Sequence, residues 1–172
     1  LTQLRIIQLA LDSQKILTSL IEGITQHSTH FQNIVRLQSF VGMDEDMGLI
    51  GNVNVSGKKL QQRVLATRNT KLISEVNALR KLETGLQAST TPDAAHNIMS
   101  AATNIRQSVL ASTLPGTIKA SIIKDIEPYA NNLEQLAQTQ LIQAREVQRM
   151  EEVNVNVTSN LNLLTTFAVN LT

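Results

Sequence analysis

Residues 133–150 read Leu133-Glu134-Gln135-Leu136-Ala137-Gln138-Thr139-Gln140-Leu141-Ile142-Gln143-Ala144-Arg145-Glu146-Val147-Gln148-Arg149-Met150, and they govern how the chain is divided. Upstream, Ile118, Ile122, Ile126, Tyr129, Leu133 and Leu136 recur at steps of three and four, the period of one buried helical face. Carried onward, the same count lands on Gln140 and Gln143 before apolar residues return at Val147, Met150, Val157, Leu161, Leu164, Ala168 and Leu171. The interruption over 138–146 has two readings: a polar layer inside one very long helix, or the junction between a short helix and a longer final one. Pro128 removes a backbone donor and crowds the preceding turn, so it is expected to bend this stretch.

Working outward, Leu4, Ile7, Leu11, Leu17, Ile21, Ile24, Phe31, Ile34 and Val41 predict a first helix to about residue 41, with Gly23 a weak point within it. Gly42, Asp44, Glu45, Asp46, Gly48 and Gly51 then crowd together and mark the first major turn. A second long helix is expected from about Val53 to Ser89 on Leu60, Val64, Leu72, Val76, Leu79, Leu82 and Leu86. Thr91-Pro92-Asp93 reads as a helix start, with Thr91 as N-cap and Pro92 at the first helical position. Ala95, Ile98, Ala102, Ile105, Val109 and Ser112 follow it at strict spacing, and Leu114-Pro115-Gly116 makes the next turn. Helices so unequal in length cannot fill one bundle evenly. The expectation is an all-α, elongated antiparallel bundle, with two stacked four-helix bundles sharing long helices.

Composition narrows the function. The 172 residues carry 15 Lys and Arg against 14 Asp and Glu, so no net field draws the chain to nucleic acid. Aromatics are 2% and Cys is absent, which argues against a sandwich, a barrel or a disulfide scaffold. No apolar run is long enough to span a bilayer, yet both ends fall inside helical patterns without caps, as in a segment excised from a longer chain.

Catalytic signatures are missing: there is no Cys nucleophile, G-x-S-x-G elbow, phosphate loop or H-E-x-x-H pair, so no enzyme is expected. No cofactor is indicated. His27 and His30, spaced i,i+3, share a helix face but lack a nearby carboxylate to complete a metal set, and a hydrogen-bonded or solvated pair is the better reading; His96 adds little. Asp44, Glu45 and Asp46 lack calcium-loop spacing and read as a capping, solvated cluster. Asn54-Val55-Ser56, Asn156-Val157-Thr158 and Asn170-Leu171-Thr172 match the glycosylation tripeptide, as chance allows in a chain this rich in Asn and Thr. Arginine is more informative, because a small carboxylate held between helices needs fixed bidentate donors. Arg5, Arg36, Arg145 and Arg149 are the candidates, the last two standing one turn apart beside the polar interruption.

The stretch Val41-Gly42-Met43-Asp44-Glu45-Asp46-Met47-Gly48-Leu49-Ile50-Gly51, followed by Leu79-Arg80-Lys81-Leu82-Glu83-Thr84-Gly85-Leu86-Gln87-Ala88, resembles the helical bimodular sensor domain of methyl-accepting chemotaxis proteins. In that family a G-L-x-G segment opens a long helix that closes on a motif like L-R-R-x-E-K-D-F-L-L-R. The resemblance covers about residues 41 to 136, with Leu110 to Leu114, Pro115 and Tyr129 following in order; Thr84-Gly85-Leu86-Gln87-Ala88 departs from the K-D-F-L-L-R part. It implies a dimeric periplasmic module spanning residues 1–172, held between two transmembrane helices. Such a module binds a small organic acid and passes a helix displacement to a cytoplasmic signalling domain. A histidine-kinase sensor is a close variant, and a structural helical-bundle protein of an envelope or secretion assembly is the alternative from another class.

Overall fold

The computed structural model describes residues 1–170, all helical apart from short connections, with no strand among them. Five helices follow in order: α1 (Thr2–Val41), α2 (Gly48–Ala66), α3 (Thr70–Ala88), α4 (Ala94–Ala111) and α5 (Gly116–Asn170). Leu171 and the end of the Asn170-Leu171-Thr172 tripeptide lie outside the described residues. α5 runs unbroken through the interruption, so residues 138–146 lie within one long helix. It also runs through Pro128, which is exposed, as is Lys124, whose carbonyl loses its helical donor there; water is at hand to replace it.

Internal packing divides the chain into two units. One comprises Leu37–Ala144; the other joins Leu1–Arg36 to the described residues from Arg145 onward.

The 37–144 unit is a bundle of α2, α3, α4 and the first part of α5. Its core consists of the positions the periodicity picks out: Leu60 and Val64 on α2, Leu72, Val76, Leu79 and Leu86 on α3, Ile98, Ala102, Ile105 and Val109 on α4, and Ile122, Ile126, Tyr129, Leu133 and Leu136 on α5. Each fully buried Leu, Ile or Val contributes about 1.5–3 kcal/mol to holding the four segments together. The unit is entered through a turn that runs from Gly42, φ 102°, to Gly48, φ 60°, the first residue of α2. A Cβ on Gly42 would sit 2.1 Å from the carbonyl oxygen of Met47, so neither the backbone conformation nor the space admits a side chain.

Three boundaries differ from the sequence expectation, the first being that α2 starts at Gly48 rather than near Val53, so Gly48 and Gly51 belong to α2 and not to the turn before it. The single helix expected from Val53 to Ser89 is two, parted at Thr67-Arg68-Asn69. Arg68 adopts a left-handed φ of 57°, and the Asn69 side chain caps α3 by accepting from the Leu72 amide at 3.2 Å. Neither Gly nor Pro marks this break. α4 begins at Ala94 rather than on a Thr91 cap, and Thr91 instead accepts from the Ala94 amide through its backbone carbonyl.

The second unit pairs α1 with the latter part of α5, antiparallel, since Gly23 faces Val157 while His30 faces Glu146. α1 passes through Gly23 without a break, and a Cβ there would lie 2.8 Å from Val157 Cγ2. The packed side of α1 is Leu9, Ser13, Ile16, Leu20, Gly23, His27, His30 and Ile34. The stripe expected to be core differs: Leu4, Ile7, Leu11, Leu17, Ile21, Ile24 and Phe31 are exposed, Leu4 at 70%. Two helices share only one line of contact, so of the large apolar residues up to Arg36 only Leu9, Ile16, Leu20 and Ile34 lie on it, alongside Ser13, Gly23, His27 and His30.

Replacing the cap residue, Asn69→Ala, is expected to cost about 1 kcal/mol of stability. Urea unfolding followed by circular dichroism checks this; an unchanged midpoint would remove Asn69 as the cause of the α2–α3 break.

Candidate functional site

A buried polar group in the 37–144 unit forms around the α3 motif residues. Arg80 Nη1 lies 2.5 Å from Glu83 Oε2, and the buried Tyr129 hydroxyl donates to the same oxygen at 2.5 Å. The Arg80 guanidinium also stands 5.9 Å from the Tyr129 ring centroid, a cation–π arrangement. Gly57 on α2 makes room: a Cβ there would come within 2.2 Å of Arg80 Nη1 and 2.9 Å of the Tyr129 ring. Burial first, and the bond to Glu83 second, hold the Tyr129 phenol far above its usual pKa. A tyrosine so fixed as a donor ties α5 to the Glu83 carboxylate of α3.

A second buried acid, Asp125 on α5, is 4% exposed and pairs with Arg63 and, at 3.2 Å, with Lys59, both on α2. On the α4 side Arg106 Nε pairs with Glu127 Oε1 at 2.7 Å. α5 is thereby clamped to two neighbours by charge as well as by its apolar row.

Between α3 and α4 the unit carries a groove of about 440 Å³ lined by Lys71, Glu75, Ala78, Ala101, Asn104, Gln107, Ser108 and Ala111. Three of these side chains are alanine methyls, which leave the room; the rest are polar. Glu75 Oε1 accepts from Ser108 Oγ at 2.8 Å, while Oε2 is buried without a partner.

The polar stretch of α5 is used locally. Within the 37–144 unit Gln143 donates to Gln38 Oε1 at 2.8 Å and Thr90 Oγ1 donates to Gln140 Oε1 at 3.2 Å. Within the α1–α5 pair, Glu146 is buried and holds His30 Nδ1 at 2.7 Å, Asn33 Nδ2 at 3.3 Å and Arg149 Nη1 at 3.2 Å. An ionised carboxylate accepts only, so the His30 proton sits on Nδ1 in this bond. The His30 bond above all, then the Asn33 bond, hold the Glu146 carboxyl below its usual pKa.

The four arginines named from sequence all belong to the α1–α5 unit and all are exposed. Arg149 alone among them meets a carboxylate, that of Glu146. His30 is hydrogen-bonded rather than grouped for a metal, and no cluster of three or more His, Asp or Glu suited to a metal occurs among the described residues. Sequence reasoning missed Glu146, Glu83 and Glu75. Each is an acid at a helical position adjoining the apolar row, and its burial depends on partners distant in the chain.

Searches against protein-family models, curated proteins and solved structures find no match to this chain.

Two outcomes follow. Tyr129→Phe deletes one of the two donors to the buried Glu83 carboxylate and is expected to destabilise the protein by about 1–3 kcal/mol in urea titrations, with helix content kept. Glu146 has a folded-state pKa below its unfolded one, so its contribution is complete above the usual carboxylate range and disappears as the pH falls through and below it. Amide exchange in the α1–α5 unit should therefore be faster at about pH 3 than at about pH 6 after correction for intrinsic rates, and Glu146→Gln should reduce that difference.

Proposed function

We propose that this chain is the ligand-sensing periplasmic module of a bacterial transmembrane chemoreceptor, joined at both ends to membrane-spanning helices and acting as a homodimer. The observation that carries the reading is the apolar surface left on the α1–α5 unit. Leu17, Ile21, Ile24, Phe31 and Val35 recur at helical spacing beside the packed line and are exposed, Ile21 at 57% and Phe31 at 54%. Leu161, Leu163 and Val169 are exposed on α5 as well. The other unit closes a core with four helical segments, and this one has two.

A second copy is the occupant that fits. The unit carries five Lys and Arg against five Asp and Glu, so like copies meet without net repulsion. Thirty-five residues of helix extend about 50 Å, and two such faces per copy reach the roughly 1,200–2,000 Å² that a stable interface buries. Completing four segments would give the second bundle expected from the helix lengths, with two long helices contributed by each copy.

α1 and α5 each continue through both units without a break in the helix. A ligand that prefers one packing of the helices over another can thus bias the position of continuous rods, and its leverage equals its difference in affinity for the two packings. The sequence candidates for a small organic acid, Arg5, Arg36, Arg145 and Arg149, all lie in the α1–α5 unit, and since Arg5 and Arg36 stand about 46 Å apart along α1, one molecule meets only part of the set, with Arg145 the residue to test. A histidine-kinase output would use the same module unchanged.

Thermal unfolding across organic acids, amino acids, amines and sugars tests the sensing claim: a ligand at about 100 times its dissociation constant adds roughly 2.7 kcal/mol. Arg145→Ala should abolish a shift produced by an organic acid, and a full shift retained would remove Arg145. Silence across every class would favour a structural bundle protein. For the dimer, Ile21→Asp with Phe31→Asp should weaken self-association in sedimentation equilibrium by about tenfold or more; association unchanged by the pair would place the contact elsewhere.

A further inference from the structure

We infer that the α3–α4 groove is a binding site for the primary ammonium group of a small molecule, with Glu75 as its acceptor. The biological meaning of such binding rests on the sensing role proposed above; the chemistry does not.

Glu75 Oε1 is satisfied by Ser108, but Oε2 is shut from water and has no donor among the described residues. A carboxylate oxygen left in that condition is costly, and a charged donor relieves it most. None comes from the protein. Lys71, one turn earlier on α3, is exposed and makes no ion pair with Glu75, and lysine placed before glutamate at this spacing is the weaker orientation on a helix. α4 presents only Asn104, Gln107 and Ser108 as polar side chains to the groove, and its Arg106 is engaged with Glu127.

The room beside Glu75 fits a small guest. At about 440 Å³ the groove lies within the usual ligand-site range of about 300–1,000 Å³, and its alanines keep side-chain bulk away. The last torsion of a glutamate is soft, so a modest turn of the carboxylate brings Oε2 toward the groove. An ammonium has three donors and no acceptor. Glu75 Oε2 takes one, and the carbonyl oxygens of Asn104 and Gln107 on the opposite wall are the neutral acceptors for the others. Lys71 at the edge suits a carboxylate on the same molecule, so amines and amino acids share the group that Glu75 reads.

Isothermal titration of the whole chain with ethylamine, alanine and propionate tests this. Ethylamine or alanine should bind saturably and depend on Glu75, whereas propionate, if the arginines of the α1–α5 unit take it, should bind without regard to Glu75. Glu75→Gln, which keeps shape and removes charge, should weaken binding by about tenfold or more. Ala101→Leu, which fills the groove and leaves Glu75 in place, should do the same, with circular dichroism confirming that both variants fold. Binding of both amine and amino acid assigns recognition to the ammonium alone; binding of alanine only, lost in Lys71→Met, adds Lys71 as the carboxylate partner. The inference is overturned by propionate binding that Glu75→Gln weakens as it weakens alanine, by unchanged affinity for ethylamine and alanine in Glu75→Gln, or by the absence of saturable heat from both nitrogen compounds. A thermal shift from some other ligand class in that last case would leave the sensing role standing.

Discussion

A pair of helices can bury one line of contact and no more, and that limit shapes this protein. Where four segments meet, between residues 37 and 144, nearly every apolar position of the periodic rows is shut from water. Where only α1 and α5 meet, Leu20 is the one buried large apolar residue among those described, and Gly23 and Glu146 share its line. The same apolar content, placed on two rods rather than four, becomes surface. An apolar strip of this length is the kind of surface found at interfaces, and it is what the proposed homodimer rests on.

The polar interior residues have a different task from the apolar ones. Arg80, Glu83 and Tyr129 fit together because Gly57 yields its side-chain volume, and Asp125 draws two basic residues of α2 onto α5. Buried charge of this kind adds little net stability compared with apolar packing of the same shape, but it penalises every register in which the partners do not meet. The four segments of the 37–144 unit are short and their apolar rows alike, so the charged contacts supply the discrimination that leucine and isoleucine do not. Glu75 departs from the pattern, because half of its carboxylate is unmatched within the fold.

Much of this was legible in the sequence. The rows on α2 to α4 and on α5 from Ile122 to Leu136 name most of the core, whereas Ile118 and Leu161, which the α5 row also named, are exposed. Gly42 and the acidic run at 44–46 mark a turn that the backbone does make, although Gly48 and Gly51, read as part of it, already belong to α2. Other features were hidden for physical reasons. Arg68 takes a left-handed conformation without glycine, held by Thr67 and Asn69 through local hydrogen bonds, so a helix that looks continuous breaks. On α1 the apolar row is real but marks the uncovered side, since periodicity reports that a face is greasy and not which neighbour covers it. The acids that matter, Glu75, Glu83 and Glu146, lie next to those rows, where a sequence cannot distinguish a solvated carboxylate from a buried one. Arginine at 145 and 149 pointed to the right turn of α5, although the residue enclosed there is the glutamate between them.

Amide hydrogen exchange resolved by residue and repeated over a wide range of protein concentration tests the central claim most directly, because a helix pair completed by a second copy gains protection by mass action whereas a closed bundle does not. The account predicts that protection over 2–36 and 145–170 rises with concentration while that over 48–136 stays constant. Protection of the two-helix unit that is high and independent of concentration would contradict it.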